Sequence, residues 1–156
     1  MTSYDFQDGK GLVPAHQHTN GGGWVADTAD VADTAYIDVN ARVYGNACVS
    51  GYACVFDNAR VSDNALVYGN ARVSGYARVS GNALVYGDAR VSGYAWVFGD
   101  AWVSGYAWVY GNARVYGYAC VFDNARVSDN ARVFGYARVH GNAPSQKISE
   151  DYDISG

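Results

Sequence analysis

Proline, glutamate and methionine are scarce in this chain of 156 residues, which has two prolines, one glutamate and one methionine. Three cysteines, an odd number, fit a reducing compartment better than a disulfide framework. No apolar run approaches the roughly 18 residues of a membrane-spanning helix, and the first ten residues lack the apolar core of a signal peptide. We therefore expect a cytoplasmic protein that has no contact with a membrane.

Positive charge is also in short supply, because 11 Lys and Arg residues face 15 Asp and Glu residues, for a formal net charge of −4. This balance argues against bulk electrostatic binding of nucleic acid, and we expect no specific nucleic-acid partner. Hydrophobic residues make up 49% of the chain, which argues against disorder. The length suits a single domain.

Repetition is what the chain has in abundance. From Val25 to Pro144 a six-residue unit recurs twenty times without an insertion. Position 1 is Val in every unit except the one that begins with Ile37, and position 5 is always Ala. Position 3 is Gly or Asp in every unit but one, and these residues favour tight corners because they tolerate positive φ.

The six-residue period predicts strands. A Gly in most of the units would cost a helix roughly 1 kcal/mol each, and a period of six does not keep one helical stripe. In a strand, Ala and the Val two residues later point to the same side, so we expect this pair to face inward. Short strands joined by corners without spacers predict an all-β parallel β-solenoid whose coils pair through their backbones.

The units at residues 43–48 (VYGNAC), 73–78 (VSGYAR) and 79–84 (VSGNAL) resemble the hexapeptide repeat of the left-handed parallel β-helix family. Within that family the chain is most similar to the G-N-A-R-V-type repeat proteins, which are often grouped with transferases on fold grounds. The resemblance covers residues 25–144. It implies left-handed coiling, a triangular prism and three hexads per coil, and therefore six to seven coils.

With three units per coil, residues eighteen apart stack, and the outward sixth positions sort onto three faces. The first face carries Asp30, Cys48, Leu66, Leu84, Trp102, Cys120 and Arg138. The second face carries Tyr36, Cys54, Arg72, Arg90, Trp108, Arg126 and Pro144. The third face carries Arg42, Arg60, Arg78, Trp96, Arg114 and Arg132.

The first face is apolar through its middle, which is typical of an interface. We expect self-association there through Cys48, Leu66, Leu84, Trp102 and Cys120, flanked by Phe98, Tyr116 and Phe134. The resemblance implies a homotrimer. The alternative is that the aromatic side chains only stack along the rod. We expect the cysteines of this face to be buried in the subunit interface as small apolar residues.

An arginine ladder occupies the third face. Its ordinary interpretation is a solvated surface, with the corner aspartates and tyrosines offsetting the charge by ion pairs or cation–π contacts. The functional alternative is a track for a polyanion or a glycan, because guanidinium groups bind phosphate and carboxylate in a bidentate manner. The candidate residues are Arg42, Arg60, Arg78, Arg114 and Arg132.

Catalytic residues are hard to find. An acyltransferase of the resembling family needs a general-base histidine beside a cleft between subunits, and only His140 in the repeat region is a candidate. His16 and His18 form a weak pair that does not amount to a metal site. We expect no metal and no cofactor. The preferred interpretation is a non-catalytic structural or interaction scaffold, with an acyltransferase as the first alternative.

The ends of the repeat array predict caps. Residues 1–24 are interpreted as an N-terminal cap, residues 25–144 as the β-helix and residues 145–156 as a polar, acidic C-terminal tail. Pro144 is expected to end the ladder because it lacks an N–H donor. An incompletely covered end predicts end-to-end growth into filaments.

Overall fold

The computed structural model describes residues 2–141, 144–148 and 153–155. These residues form strands joined by turns, and they contain no helix. In chain order the strands are β1 (Ser3–Asp5), β2 (Leu12–Gln17), β3 (Trp24–Ala26), β4 (Asp30–Val31), β5 (Tyr36–Ile37), β6 (Arg42–Val43), β7 (Cys48–Val49), β8 (Cys54–Val55), β9 (Arg60–Val61), β10 (Leu66–Val67), β11 (Arg72–Val73), β12 (Arg78–Val79), β13 (Leu84–Val85), β14 (Arg90–Val91), β15 (Trp96–Val97), β16 (Trp102–Val103), β17 (Trp108–Val109), β18 (Arg114–Val115), β19 (Cys120–Val121), β20 (Arg126–Val133), β21 (Arg138–His140), β22 (Pro144–Ile148) and β23 (Asp153–Ser155).

Each short strand pairs in parallel with the strand eighteen residues further along the chain. Leu66 is in register with Leu84, and Arg72 is in register with Arg90. Two other strands lie between such partners in the sequence, so each coil contributes three strands. The predicted all-β parallel solenoid is confirmed, and it has about six stacked coils. Left-handed coiling stays a prediction.

The strand order follows the three faces. The first face is the sheet β23-β21-β19-β16-β13-β10-β7-β4. The second face contains β5, β8, β11, β14 and β17, and the third face contains β3, β6, β9, β12, β15 and β18. The eight-residue strand β20 pairs with both β17 and β18, so it joins the second and third faces.

Alanine and valine fill the interior. From Ala35 to Val139 every first-position and fifth-position side chain is buried, with at most 1% of its surface exposed. The two inward residues are small because the interior of each coil is narrow and leaves no room for larger side chains at both positions. Burial of these residues across consecutive coils makes one continuous core.

The corners use positive φ at position 3. At a typical corner, the Ala53 N–H donates to the carbonyl of Ser50 at 3.3 Å, and Gly51 between them has φ of 63°. Asp57 and Asp63 take the same conformation, with φ of 55° and 58°. Their carboxylates accept hydrogen bonds from the amides of Gly75 and Gly81 in the next coil, at 3.1 and 3.0 Å.

The first coil turns its corners differently. The hydroxyls of Thr28 and Thr34 donate to the carbonyls of Gly45 and Gly51 in the next coil. In later coils a backbone amide takes this role, as when the Tyr52 N–H donates to the carbonyl of Gly69 at 2.9 Å. In the first coil the threonine hydroxyls therefore take the place of the backbone amides as hydrogen-bond donors to the next coil.

An antiparallel hairpin precedes the coils. β1 pairs with β2, β2 pairs with β3, and β3 continues in parallel into β6, so the hairpin extends the third face at its N-terminal end. Phe6 is 1% exposed and packs with Ala15 and Ala26 in a second small core. The Tyr4 ring stacks on Trp24 at 4.6 Å. This hairpin forms most of the segment predicted as a cap.

Parallel pairing continues past Pro144, which corrects the expectation that this proline ends the ladder. β22 pairs with β20, and β23 pairs with β21. The pairing tolerates proline because a strand at the edge of a sheet does not need every N–H donor. The rest of the predicted C-terminal tail, residues 149–152 and 156, lies outside the described residues, as do residues 142 and 143.

Substitution of Gly75 tests the close stacking of the corners. A Cβ atom at Gly75, where φ is 66°, would lie 3.0 Å from the backbone N and O of Gly93. We expect Gly75→Ala to lower the free energy of unfolding by about 1–3 kcal/mol. Gly75→Asp should lower the free energy of unfolding by about 1 kcal/mol less than Gly75→Ala does. The reason is that its carboxylate can accept a hydrogen bond from the Gly93 N–H, as the Asp57 carboxylate accepts one from the Gly75 N–H.

Urea unfolding of both variants and the wild-type protein measures these differences. An unchanged stability of Gly75→Ala would contradict the steric argument. Equal losses in both variants would contradict the role of the carboxylate.

Candidate functional site

The first face presents an apolar column to solvent. Strand pairing puts Leu66, Leu84 and Trp102 on successive coils, with Cys48 before them and Cys120 after them. Leu66 is 37% exposed and Trp102 is 46% exposed. Asp30 is in register with Cys48, and Arg138 is in register with Cys120. The predicted apolar middle therefore reaches solvent, and residues of opposite charge flank it.

A second outward column lies beside the first one, at position 2 of the same units. Tyr68 stacks on Tyr86 with 5.0 Å between the ring centroids, and Phe122 stacks on His140 with 4.8 Å between the ring centroids. Tyr86 also meets Trp102 edge to face at 6.4 Å. Sorting the sixth positions by face does not predict this column. The alternation of a strand was the available signal, because residues two apart share a face.

Burial changes the acidity of two groups on the first face. It raises the pKa of the Cys120 thiol, although the nearby Arg138 guanidinium acts in the opposite direction. Burial also raises the pKa of Tyr68, and the neighbouring Tyr86 adds to this rise. Both shifts keep the groups neutral, which suits a packing surface and not a nucleophilic thiolate.

The predicted flanking aromatic residues lie on another face. Phe98 stacks on Tyr116 at 4.8 Å, and Tyr116 stacks on Phe134 at 5.3 Å. The Phe98 ring also contacts Trp96 on the third face at 4.4 Å. The chain turns at Gly99 before it reaches Trp102. The structure thus brings Phe98, Tyr116 and Phe134 together along the edge of the third face and separates them from the apolar column by a corner.

Two half-buried tryptophans share one anchoring arrangement. The Trp96 indole N–H donates to the Ser80 hydroxyl on the third face, and the Trp108 indole N–H donates to Ser92 on the second face, both at 2.9 Å. Tyr86 occupies the corresponding position beneath Trp102. Among the described residues, the Trp102 indole N–H has no hydrogen-bond partner.

A long groove of about 510 Å³ follows the third face. One wall consists of the sixth-position residues Arg42, Arg60, Arg78, Trp96 and Arg114. The other wall consists of the fourth-position residues of the preceding corner, Asn40, Asn58, Tyr76, Tyr94 and Asn112. The repeat predicts the arginine column and corner tyrosines beside it, but it does not predict that the two line a groove. The last predicted member of the ladder, Arg132, pairs in register with Arg114 beyond this groove.

The corner aspartates form no ion pair with these arginines among the described residues. Asp57, Asp63 and Asp123 accept hydrogen bonds from glycine amides of the next coil. Within the part of the chain that the structure describes, no arginine of the third face forms a salt bridge. The expected ion pairs with the arginines of the third face are therefore absent among the described residues, and these carboxylates contact the backbone of the next coil instead.

The three histidines have different partners, and His140 lies in the last coil, away from His16 and His18. His140 stacks on Phe122, and its Nδ1 lies 3.8 Å from the Asp123 carboxylate. The Nδ1 of His16 lies 2.7 Å from the Asp27 carboxylate, whereas the His18 ring contacts the Ala35 carbonyl at 2.9 Å. Among the described residues, no group of three His, Cys, Asp or Glu side chains is arranged to hold a metal ion. The described residues also include no helix with the length and hydrophobicity to cross a membrane.

Comparison with known proteins agrees with the fold. The profile of the YdcK beta solenoid repeat matches residues 41–56, 59–75, 67–81, 77–93, 85–98, 107–123 and 125–141. These segments cover more than half of the chain, which therefore belongs to this family of β-solenoid repeat proteins. No curated protein and no solved structure matches the chain significantly. The match does not extend to the hexapeptide-repeat transferases in particular, so that resemblance stays a prediction.

Cys120 provides a test of burial on the first face. In a Cys48→Ser/Cys54→Ser variant, Cys120 is the remaining thiol. We expect its alkylation at pH 8 to be slower in the folded protein than in urea, because burial raises its pKa and lowers its thiolate fraction. The pH at which the rate reaches half of its maximum should be higher in the folded protein.

Iodoacetamide labelling followed by mass spectrometry measures both quantities. A reaction midpoint at the same pH in folded and unfolded protein would contradict the raised pKa.

Proposed function

We propose that the protein is a non-catalytic scaffold that self-associates, and that its first face binds the first face of a second copy. The observation that carries this proposal is the exposed apolar column with Leu66, Leu84 and Trp102 at its centre. Apolar surface of this kind is stabilised when another surface excludes water from it. A rigid array of short strands suits this role, because its side chains are held in fixed rows.

The rows of the sixth-position column complement one another when one copy is inverted. A two-fold axis along the Leu84 strand, in the plane of contact, reverses the order of the coils and keeps each column opposite itself. Asp30 of one copy then faces Arg138 of the other, and Leu66 faces Trp102. Leu84 meets its own counterpart on the axis. The opposite charges that flank the apolar middle therefore match, as do the apolar side chains between them.

The second-position column follows the same rule. In the inverted arrangement Ser50 faces Phe122, Tyr68 faces Ser104, and Ala32 faces His140. A small side chain thus meets a large one in each of these rows, as close packing requires. Tyr86 meets its own counterpart beside the axis. This pattern supports an antiparallel pair of copies. The homotrimer that the resemblance implies remains a prediction, which the same measurement of mass tests.

Two negative charges on the first face should abolish self-association. We expect Leu84→Glu/Trp102→Glu to be monomeric at concentrations where the wild-type protein is not, because all of the new charges lose water and the two carboxylates at residue 84 face each other across the axis. Sedimentation equilibrium at two protein concentrations measures the mass. A matched control, Cys54→Glu/Trp108→Glu, adds the same charges to the second face and should keep the wild-type mass.

A variant mass equal to that of the wild-type protein would overturn the proposed interface. A wild-type mass of three chains would favour the trimer instead.

Paired charges test the antiparallel order. We expect Leu66→Glu alone and Trp102→Lys alone to weaken association at least about tenfold, since each buries a charge without a partner. The double variant should recover most of the affinity, because the new carboxylate of one copy would face the new ammonium group of the other. In a parallel arrangement residue 66 would face itself, and the double variant would be weaker than either single variant.

A further inference from the structure

The groove on the third face is a separate feature with a chemistry of its own. Two parallel walls line it over five successive coils, which is about 19 Å at roughly 4.8 Å per coil. One wall contributes Arg42, Arg60, Arg78 and Arg114, and the other contributes amide and phenol groups. No carboxylate lines it. This face therefore offers positive charge and hydrogen-bonding groups at a regular spacing, in a chain whose net charge is −4.

The arginines of this groove repel one another. Arg42 is in register with Arg60, and Arg60 is in register with Arg78. Like charges directly opposite each other on adjacent strands are destabilising. Arg42 reaches Gln7 at 3.3 Å, and the Arg114 guanidinium lies over the Trp96 ring at 5.9 Å. Among the described residues, Arg60 and Arg78 have no carboxylate within 4.0 Å to offset their charge. An anion of an external ligand would supply the missing negative charge.

The aromatic residues distinguish between classes of polyanion. Tyr76 and Tyr94 stack on each other at 5.1 Å with nearly parallel rings. The Trp96 ring contacts Phe98 at 4.4 Å and Arg114 at 5.9 Å. These contacts occupy ring faces that single-stranded nucleic acid would need for stacking its bases. The hydroxyls of the tyrosines and the amides of the asparagines are instead suited to hydrogen bonds with sugar hydroxyl groups.

We propose that this groove binds a linear anionic polysaccharide, with the carboxylates of successive uronic acid units on the arginine wall and the sugar hydroxyls on the Asn and Tyr wall. Guanidinium and carboxylate groups form paired, charge-assisted hydrogen bonds. A polymer whose charges repeat along its length matches arginines that repeat along the rod. The proposal is independent of self-association, because both walls belong to one chain and lie away from the first face.

Titration with polygalacturonate tests the proposal. We expect the wild-type protein to bind this polymer in isothermal titration calorimetry, and the affinity to fall as salt is raised. Arg60→Gln/Arg78→Gln should weaken binding at least about tenfold, since it removes the central pair of charged contacts. Arg72→Gln/Arg90→Gln, the matched control, removes two arginines in register on the second face and should change the affinity less than about twofold.

Two further measurements separate binding from folding. The melting temperature of Arg60→Gln/Arg78→Gln should equal or exceed that of the wild-type protein, because the substitution removes repulsion between paired strands. Arg78→Lys keeps the charge but loses the planar fork of donors, and it should bind more weakly than the wild-type protein. The Leu84→Glu/Trp102→Glu variant should bind like the wild-type protein, which separates the groove from the first face.

Four results would overturn the proposal. The first is an equal loss of affinity in the second-face control, Arg72→Gln/Arg90→Gln, which would indicate electrostatic attraction without a defined binding site. The second is equal binding of fully methyl-esterified polygalacturonate, which lacks the charges. The third is tighter binding of an oligothymidine, which would assign the groove to nucleic acid. The fourth is an absence of binding by the wild-type protein at low salt.

Discussion

The backbone ladder between residues eighteen apart is the interaction on which the whole molecule depends. Amides at alternate positions of a coil donate to carbonyls of the next one, as Cys48 donates to Ala65 at 2.9 Å and Ser50 donates to Val67 at 2.9 Å. Because the ladder continues through the corners, it fixes the distance between coils everywhere. Every side chain then has its nearest outward neighbour at the same position of the next coil. The stacked tyrosines, the arginine ladder and the apolar column are all consequences of this one register.

The ladder also explains the two chemical solutions at the corners. Glycine fits because Gly75 has positive φ and its α-carbon lies close to the backbone of Gly93. Aspartate fits at Asp57 because its carboxylate accepts the free amide of the following coil, and this bond offsets the strain of positive φ. Among the described residues, carboxylates used in this way form no ion pair with the arginines of the third face. The local requirements of the turn thus determine where these negative charges lie.

The periodicity of Val and Ala was enough to predict the class of fold and the interior, because alternate residues of a strand must share a side and only one side can be buried. The same periodicity, with residues eighteen apart stacked on one another, also predicted the apolar column of the first face. The neighbours of a column depend on where the chain turns, which a repeat does not reveal. Phe98 therefore lies beside Trp96 and not beside Trp102, and the contribution of Tyr76 and Tyr94 to a groove was missed. The strands beyond Pro144 were missed because the repeat ends there, whereas the backbone pairing does not.

The six-residue unit and the eighteen-residue register together limit how such a chain can change in length. Removal of three units would delete one whole coil and leave every later column on its own face. Removal of a single unit would keep Val and Ala inside but move every later residue to the neighbouring face, so that Trp102 would continue a different column from Leu84. The interior would tolerate both deletions equally well. Only the gain or loss of whole coils preserves the surface columns. The outer faces, and not the core, therefore require that the chain change in length in steps of one coil.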